Sequence, residues 1–323
     1  MMRINIKKLV FISSCCCFLW SFQLFADTEN IGSSTHALRG GNVITGFSGV
    51  VEISTPGGGD YCTGSMVAPS IILTAAHCLT NVSTMTSNGT GNFVITYHDP
   101  TTGRREVYNG NGNWFVHQDY NPADTSFGAG YANSDIGIIK MPKNFIDTDY
   151  HDFLRIYGDN RSHLKTRLNF YGGGYYSYSG NIDDKLRTSY FNVEHVKKNH
   201  IVIDNRKKTT VCKGDSGGPL IYSINQTSTS IPTVTGVLSN MELGDGFEGG
   251  LCANNDWGID DAFFSRTNWG KLSSVMNTAN VFCGLYTVEN ISYRRCFDLP
   301  FINDVIYEGL EQNLAVAIVI TFL

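Results

Sequence analysis

Residues 212–219 read Cys-Lys-Gly-Asp-Ser-Gly-Gly-Pro, which places a serine inside a glycine-rich turn. Far upstream, residues 74–78 read Thr-Ala-Ala-His-Cys, and residues 133–139 read Asn-Ser-Asp-Ile-Gly-Ile-Ile. Small or apolar residues flank all three stretches, as expected for segments that pack against a core. In chain order, the stretches present a histidine, an aspartate and a serine: His77, Asp135 and Ser216.

These three side chains form the set that an activated serine nucleophile needs. A serine hydroxyl is a poor nucleophile at neutral pH unless a base takes its proton and a third group fixes that base's tautomer. The order His, Asp, Ser is one of several chain orders in which such a set occurs. The sequence therefore predicts Ser216 as the nucleophile, His77 as the general base and Asp135 as the group that orients the imidazole. The backbone N–H groups of Gly214 and Ser216 are expected to form an oxyanion hole, since glycines leave the approach to these donors open.

The three stretches resemble those of the trypsin-like (chymotrypsin-fold) serine proteases. Tyr61-Cys62-Thr63-Gly64-Ser65 looks like that family's strand before the histidine, and Gly236-Val237-Leu238-Ser239 resembles the strand that lines its substrate cleft. Residues 171–174 stand where the family often has Gly-Trp-Gly. The resemblance covers about residues 38–279, and the short segment 175–211 is compatible with a bacterial member.

The resemblance implies an all-β fold of two packed six-stranded antiparallel β-barrels with a C-terminal helix. The base and Asp135 would come from the first barrel and Ser216 from the second. It also implies a secreted serine endopeptidase that forms an acyl-enzyme on Ser216 and acts on proteins or peptides without a cofactor or metal. Two alternatives stay open: a catalytically silent protease-like binding or adhesion module, and an esterase or narrow processing enzyme.

The cysteines point to an exported protein. Outside the N-terminal segment there are six, an even number that is typical of a disulfide framework, and no Cys-x-x-Cys spacing suggests a structural zinc site. The resemblance implies a Cys62–Cys78 bond beside the base and a Cys212–Cys252 bond. With those two in place, Cys283–Cys296 is implied in the C-terminal extension.

The resemblance also bears on activation. In that family, cleavage frees an apolar N-terminus whose ammonium pairs with the aspartate before the nucleophile, here Asp215. Leu38-Arg39-Gly40-Gly41 resembles the family's Ile-Val-Gly-Gly and predicts Leu38 as the new N-terminus. Cleavage after Arg39, or no cleavage at all, remains an alternative. Ser239 is implied to donate a hydrogen bond to Asp135.

The sequence says less about the substrate pocket than about the catalytic residues. It is expected to involve five residues: Thr210, Lys213, Ser239, Asn240 and Met241. Thr210 stands where trypsin-type enzymes have an aspartate, so a preference for Arg or Lys is not implied. Met241 would narrow the pocket and favour small or medium apolar residues before the scissile bond. Asp260 or Asp261 could supply a charge instead, which keeps a basic preference open.

The N-terminus has the pattern of a targeting segment. Basic residues Arg3, Lys7 and Lys8 precede an apolar stretch over 9–25, and a small residue follows at position 26. We expect a cleaved signal peptide over 1–26, although a membrane anchor or a lipoprotein cysteine at Cys15 are alternatives.

We expect three further segments: a leader over 27–37, the protease domain over 38–279 and an extension of unassigned role over 280–323. The mature protein is expected to be a monomer outside the cell, or in the periplasm in transit, without a stable membrane span. Its expected partners are substrates and an activating protease. The net charge of −5 and the lack of a concentrated basic patch argue against nucleic acid.

Composition and patterning favour strands. Of the 323 residues, 42% are hydrophobic and 34 are glycine, and many short apolar runs are separated by turn residues. Thirteen strands are predicted between residues 43 and 264, including a single strand over Val43–Ile53 and two strands over Glu106–Tyr108 and Trp114–His117. Residues 268–279 place apolar side chains at helical spacing and predict one closing helix.

Overall fold

A computed structural model of the chain describes residues 38, 41–46, 48–55, 61–80, 87–99, 102–121, 134–142, 153–157, 167–174, 185–204, 209–225, 230–241, 261–267, 269–288 and 291–298. All of them belong to one compact unit, Thr35–Leu323. The predicted signal peptide over 1–26, the predicted leader over 27–37 and residues 299–323 lie outside the described residues.

The described residues form sixteen strands and one α-helix. In chain order these are β1 (Asn42–Val43), β2 (Val50–Ser54), β3 (Tyr61–Ala68), β4 (Ile71–Thr74), β5 (Asn88–His98), β6 (Arg105–Val116), β7 (Gly137–Lys140), β8 (Arg155–Tyr157), β9 (Arg167–Gly172), β10 (Arg187–Val196), β11 (His200–Asp204), β12 (Pro219–Asn225), β13 (Ser230–Met241), β14 (Asp261–Arg266), α1 (Trp269–Thr278), β15 (Val281–Val288) and β16 (Ile291–Asp298). A short 3₁₀ turn, Ala76–Cys78, follows β4.

The first barrel is a closed ring of six strands in the order β2-β3-β4-β7-β6-β5. Every neighbouring pair is antiparallel. Its interior is filled by side chains such as Ile53, Met66 and Ile95, all at most 3% exposed. Because a closed ring has no free edge, each of these strands has a hydrogen-bonded neighbour on both sides.

The second barrel is also a ring of six strands. Its order is β12-β9-β10-β11-β14-β13, and β13 pairs back with β12 to close it. All six pairs are antiparallel. Phe170 and Phe264 lie at its centre as an edge-to-face pair, with ring centroids 5.4 Å apart. The predicted all-β fold of two six-stranded barrels is confirmed.

A third apolar cluster lies between the barrels. Ile71 and Leu73 of β4 contribute from the first barrel, and Val234 and Val237 of β13 contribute from the second. Strand β4 is therefore buried on both faces, since its alternate residue Ile72 points into the first barrel. This cluster fixes the two barrels against each other, and the loops that leave β4 and enter β12 meet there.

The predicted helix is confirmed as α1. Its Leu272, Val275 and Met276 are buried in the cluster between the barrels, as the helical spacing of the sequence indicated. The Lys140 ammonium of β7 donates a hydrogen bond to the carbonyl of Ala279, just after the helix, at 3.2 Å. Within the described part of the chain, no helix is both long and apolar enough to cross a membrane.

Residues 281–288 and 291–298 form a pair of strands, here called the terminal hairpin, that was not predicted from the sequence. Strands β15 and β16 pair along their length, with Cys283 opposite Cys296, and β16 also pairs with β8. Strand β8 pairs in parallel with β13 of the second barrel. The first part of the predicted extension thus continues the sheet of the second barrel.

Two strand predictions were wrong in detail. The single strand predicted over Val43–Ile53 is divided into β1 and β2, because Gly46 and Gly49 adopt φ values of +143° and +71° that interrupt extended backbone. The two strands predicted over Glu106–Tyr108 and Trp114–His117 are one continuous strand, β6, paired throughout with β5.

Candidate active site

His77 and Asp135 are brought together by the pairing of β4 with β7. The last pair of that ladder is Thr74 with Gly137, so the chain beyond β4 lies beside the chain that precedes β7. There the His77 ring nitrogen Nδ1 lies 2.7 Å from Asp135 Oδ2, and the His77 backbone N–H donates to Asp135 Oδ1 at 2.9 Å. Asp135 is fully buried, whereas the side chain of His77 is 25% exposed.

The carboxylate of Asp135 controls both the tautomer and the charge of His77. A carboxylate only accepts hydrogen bonds, so the proton on Nδ1 faces it and Nε2 remains for another partner. Burial alone would lower the pKa of His77, but the negative charge of Asp135 and its hydrogen bond outweigh burial and raise the pKa above its usual value of 6.5. Ser239 also donates to Asp135 Oδ2, at 2.7 Å.

Ser216 lies where the second barrel touches the first. Its backbone carbonyl accepts a hydrogen bond from the Thr63 N–H at 2.7 Å. The next residue, Gly217, has a φ of +82°, and a Cβ there would lie 2.1 Å from Thr74 Oγ1. A glycine is therefore required beside the serine, and its contact with Thr74 brings Ser216 close to the segment that carries His77.

The backbone around Gly214 is held by a bridge between the barrels. Thr63 of β3 donates from its hydroxyl to the Gly214 carbonyl at 3.1 Å and accepts from the Gly173 N–H at 3.0 Å. Gly214 itself has a φ of +92°, which favours glycine. Thr63 cannot be singled out from the Tyr61–Ser65 sequence alone, because its role depends on a contact with the other barrel.

Asp215 is a buried carboxylate with several donors. Its Oδ1 accepts from the Gly174 N–H at 2.9 Å and its Oδ2 from the Cys212 N–H at 2.8 Å. Burial raises the pKa of Asp215 to about 7, and four contacts act in the opposite direction: the N–H of Cys212, the N–H of Gly174, the charge of Arg187 and the N–H of Leu38. The Asp215 carboxylate thus lies in a pocket whose N–H donors and nearby positive charge favour its ionised form.

Leu38 lies at this pocket. Its side chain is fully buried and packs with the core of the second barrel, and its N–H interacts with Asp215. Its φ of +44° is in the left-handed region, which is strained for leucine. Residues 39 and 40, which belong to the alternative cleavage site, lie outside the described residues.

Comparison with known proteins identifies the family of this chain. The family model for trypsin matches residues 39–251, more than half of the chain. The chain belongs to the trypsin family. Trypsin theta of Drosophila melanogaster is 24% identical over 192 residues, which are 53% of this chain and 65% of that protein. The chain thus spans slightly less than two thirds of the length of this relative.

Membership of the trypsin family agrees with the predicted family and fold. The match covers the segments of His77, Asp135 and Ser216 but ends before β14, α1 and the terminal hairpin.

The predicted substrate residues of this trypsin-family chain differ in their surroundings. Thr210 is buried, and its hydroxyl has no hydrogen-bond partner among the described residues. Lys213 is exposed. Asn240 and Met241 are half-buried at the end of β13. Ser239 is buried and its hydroxyl is already bonded to Asp135, so it acts on the carboxylate. Asp260 lies outside the described residues.

The cysteines pair as the family resemblance implied where both partners are described. Cys62 bonds to Cys78, beside His77, and Cys283 bonds to Cys296. Cys212 is also disulfide-bonded. Its predicted partner, Cys252, lies outside the described residues.

One group of possible metal ligands occurs in the described part of the chain: Cys62, His77 and Cys78. Their geometry does not suit a metal, because the two sulfurs are bonded to each other and Nδ1 of the ring faces Asp135. The arrangement favours proton transfer at His77 instead.

Proposed function

We propose that this trypsin-family chain is a secreted serine endopeptidase that hydrolyses peptide bonds through an acyl-enzyme on Ser216. The observation that carries the proposal is the 2.7 Å contact between the His77 Nδ1 and the buried Asp135 carboxylate, next to a glycine turn that carries the serine. This contact fixes the tautomer in which Nε2 can accept a proton.

In the proposed reaction, His77 takes the proton of the Ser216 hydroxyl while the Ser216 oxygen attacks the scissile carbonyl. The negative charge that forms on the carbonyl oxygen is stabilised by the N–H groups of Gly214 and Ser216. His77 then protonates the leaving amine, and the carbon–nitrogen bond breaks. Water attacks the acyl-enzyme in the second half, again with His77 as base, and releases the acid and free Ser216.

We further propose that cleavage between residues 37 and 38 activates the enzyme. Two observations support Leu38 as the new N-terminus: its N–H already interacts with Asp215, and its φ of +44° is strained. Cleavage removes the carbonyl carbon of residue 37, which defines that φ angle, and so relieves the strain. It also turns a neutral N–H donor into an ammonium, which pairs with the buried carboxylate.

Export is proposed from the signal pattern over 1–26 together with the disulfides, since disulfides persist in oxidising compartments. For specificity, small or medium apolar residues before the scissile bond are proposed. The half-buried Met241 and the uncharged Thr210 support this choice over a basic preference.

The proposal is tested with a fluorophosphonate probe, which reacts with activated serines, on the secreted wild type and on Ser216→Ala. Intact mass spectrometry should find a single adduct on the wild type and none on the variant, and it also reports where the mature chain begins. Absence of an adduct on a folded chain that begins at Leu38 would overturn the enzyme proposal in favour of a silent binding module. Turnover of protein substrates compared with small esters separates an endopeptidase from an esterase.

A further inference from the structure

Arg187 is a buried arginine that the proposed reaction does not use. It is the first residue of β10 and is only 1% exposed, and its side chain is among the largest that are fully buried. Its guanidinium donates to the Lys185 carbonyl at 3.2 Å. Because an arginine keeps its charge at any ordinary pH, the second barrel contains a buried positive charge.

The sheet register places Arg187 beside Asp215. Arg187 lies directly opposite Gly172 of β9, and directly opposite residues of an antiparallel pair project from the same face of the sheet. That face is occupied at Gly172 by the Asp215 carboxyl group, because a Cβ built on this glycine would lie 2.2 Å from Asp215 Oδ1. Arg187 and the carboxylate therefore share one face of the sheet, one strand apart.

The charge of Arg187 acts on Asp215. Of the described charged side chains, it is the one whose electrostatic attraction lowers the pKa of Asp215, against the effect of burial. A buried carboxylate without a cation is strongly destabilising. Leu38 offers only a neutral N–H while it is joined to residue 37, so before cleavage Arg187 is the nearby cation that favours the ionised carboxylate.

The loop that depends on this carboxylate is ordered in the uncleaved chain. Asp215 accepts from the Cys212 N–H on one side and the Gly174 N–H on the other. The Asp215 N–H donates to the Cys212 carbonyl at 3.1 Å, and its own carbonyl accepts from the Gly218 N–H at 2.9 Å. These bonds set the backbone of Gly214 and Ser216, which are the proposed oxyanion donors.

We propose that Arg187 is a positioning residue that keeps the Asp215 carboxylate, and with it the oxyanion loop 212–216, in place before the Leu38 N-terminus is released. The uncleaved chain then has a basal activity that depends on Arg187. After cleavage the ammonium of Leu38 supplies a second cation, and the dependence on Arg187 becomes weak. This inference rests on the proposed function.

The test compares one preparation before and after a controlled cut. Residues 33–37 are replaced with Asp-Asp-Asp-Asp-Lys, so that enterokinase cleaves directly before Leu38. The rate of labelling by the fluorophosphonate probe, and kcat and KM on a peptide, are measured in both states, and intact mass confirms that the first state is uncleaved. The variants are Arg187→Met, which keeps the volume but removes the charge, and Arg187→Lys, which keeps a charge.

A matched control is Arg266→Met. Arg266 is another buried arginine of the second barrel, 7% exposed, whose guanidinium donates to the carbonyls of Lys197 and Lys198. Its loss should lower the melting temperature without changing the ratio of the uncleaved to the cleaved rate, because it lies on β14 and takes no part in the Asp215 pocket.

We expect Arg187→Met to reduce the labelling rate of the uncleaved chain by about tenfold or more, the loss typical of a charge-assisted interaction. The effect should fall on kcat rather than KM, should be largely restored by cleavage, and should be smaller in Arg187→Lys. If Arg187→Met does not fold, the ratio of the uncleaved to the cleaved labelling rate, measured on Arg187→Gln and Arg187→Lys, decides the question.

Three results would overturn the inference. The first is an uncleaved wild type that does not react with the probe although the cleaved form does. The second is an uncleaved Arg187→Met that reacts as fast as the uncleaved wild type. The third is an Arg187→Met whose reduced labelling rate is not restored by cleavage. In each of these cases the proposed function stands. A folded wild type that stays unreactive after cleavage refutes the proposed function itself, and the inference with it.

Discussion

At the scale of single residues, the protonation of His77 should govern the pH dependence of activity. The pKa of His77 is raised above 6.5 by Asp135, and the ring acts as a base only when neutral. We therefore expect kcat/KM to rise with pH through a midpoint above 6.5 and then level off. The His77–Asp135 pair also stabilises the fold. Its stabilisation is complete at pH values below the pKa of the histidine in the unfolded chain, and it decreases as the pH rises through the raised pKa of the folded state.

Asp135→Asn should lower kcat by about 10⁴-fold, because an amide no longer enforces the productive tautomer. It should also move the midpoint to lower pH. The pH profiles are measured on the chain that begins at Leu38. In the uncleaved chain the pKa of Asp215 is about 7, so this carboxyl group would titrate in the same pH range as His77.

The control for this prediction is Asp119→Asn. The Asp119 carboxylate lies 3.8 Å from Nδ1 of another histidine, His117, and its side chain is 65% exposed. This change should leave both the rate and the midpoint as in wild type. A midpoint that stays in place in Asp135→Asn would contradict the role given to Asp135.

The site residues that can be predicted from the sequence are those whose neighbours along the chain are informative. His77, Asp135 and Ser216 each sit in a run of neighbours that is informative by itself, so their types and order could be interpreted without a structure. Thr63 and Arg187 could not be found this way. Thr63 matters through a contact with the other barrel, and Arg187 through the β9–β10 register that sets it opposite Gly172.

At the scale of elements, the terminal hairpin should contribute to stability and not to catalysis. Cys283, Cys296 and Val281 are buried in the cluster between the barrels, while β16 pairs with β8. Replacing both cysteines in Cys283→Ser/Cys296→Ser opens a loop with a sequence separation of 13. We expect a loss of about 3 kcal/mol in the free energy of unfolding, measured by denaturant titration.

The kcat of the cleaved Cys283→Ser/Cys296→Ser variant at 25 °C should equal that of wild type, because the hairpin contributes no residue to the proposed site. The comparison is Cys62→Ser/Cys78→Ser, which removes the bond next to His77 and should reduce both stability and kcat. Loss of activity without loss of stability in the hairpin variant would show that the hairpin acts on the site.

The hairpin escaped prediction for a physical reason. Among the β15 side chains that the structure describes, only those of Val281 and Cys283 are buried in the core, whereas Leu285 and Tyr286 are 53% and 42% exposed. Two inward positions are too few for an alternation that would distinguish a strand from a loop. Its partner β8 has only three residues, so the pairing depends on tertiary packing. The helix α1, with three buried side chains at helical spacing, was predictable for the opposite reason.

At the scale of the whole molecule, the proposed site lies where the two barrels meet. His77 and Asp135 belong to the first barrel and Ser216 to the second, and hydrogen bonds cross between the barrels at Thr63. Its N–H donates to the Ser216 carbonyl, and its hydroxyl joins the Gly214 carbonyl to the Gly173 N–H. A change in this one residue should therefore affect how the barrels are set for catalysis.

Thr63→Val keeps the shape and the strand propensity of the residue but removes the hydroxyl. The Gly214 carbonyl and the Gly173 N–H, both in a buried setting, would then lose a partner, at a cost of about 1–3 kcal/mol for each. Because Gly214 is a proposed oxyanion donor, the change should lower kcat by about 10- to 100-fold with little change in KM. Thr63→Ser keeps the hydroxyl and should recover most of the rate.

The matched control is Thr235→Val, which removes a buried hydroxyl that donates to the Leu220 carbonyl at 2.9 Å within the second barrel. It should cost about 1–3 kcal/mol in a denaturant titration, because one buried carbonyl loses its partner, while kcat stays close to wild type. Equal losses of kcat in the two variants would mean that Thr63 acts through stability alone. A loss confined to Thr63→Val would mean that its hydroxyl couples the first barrel to the oxyanion loop of the second.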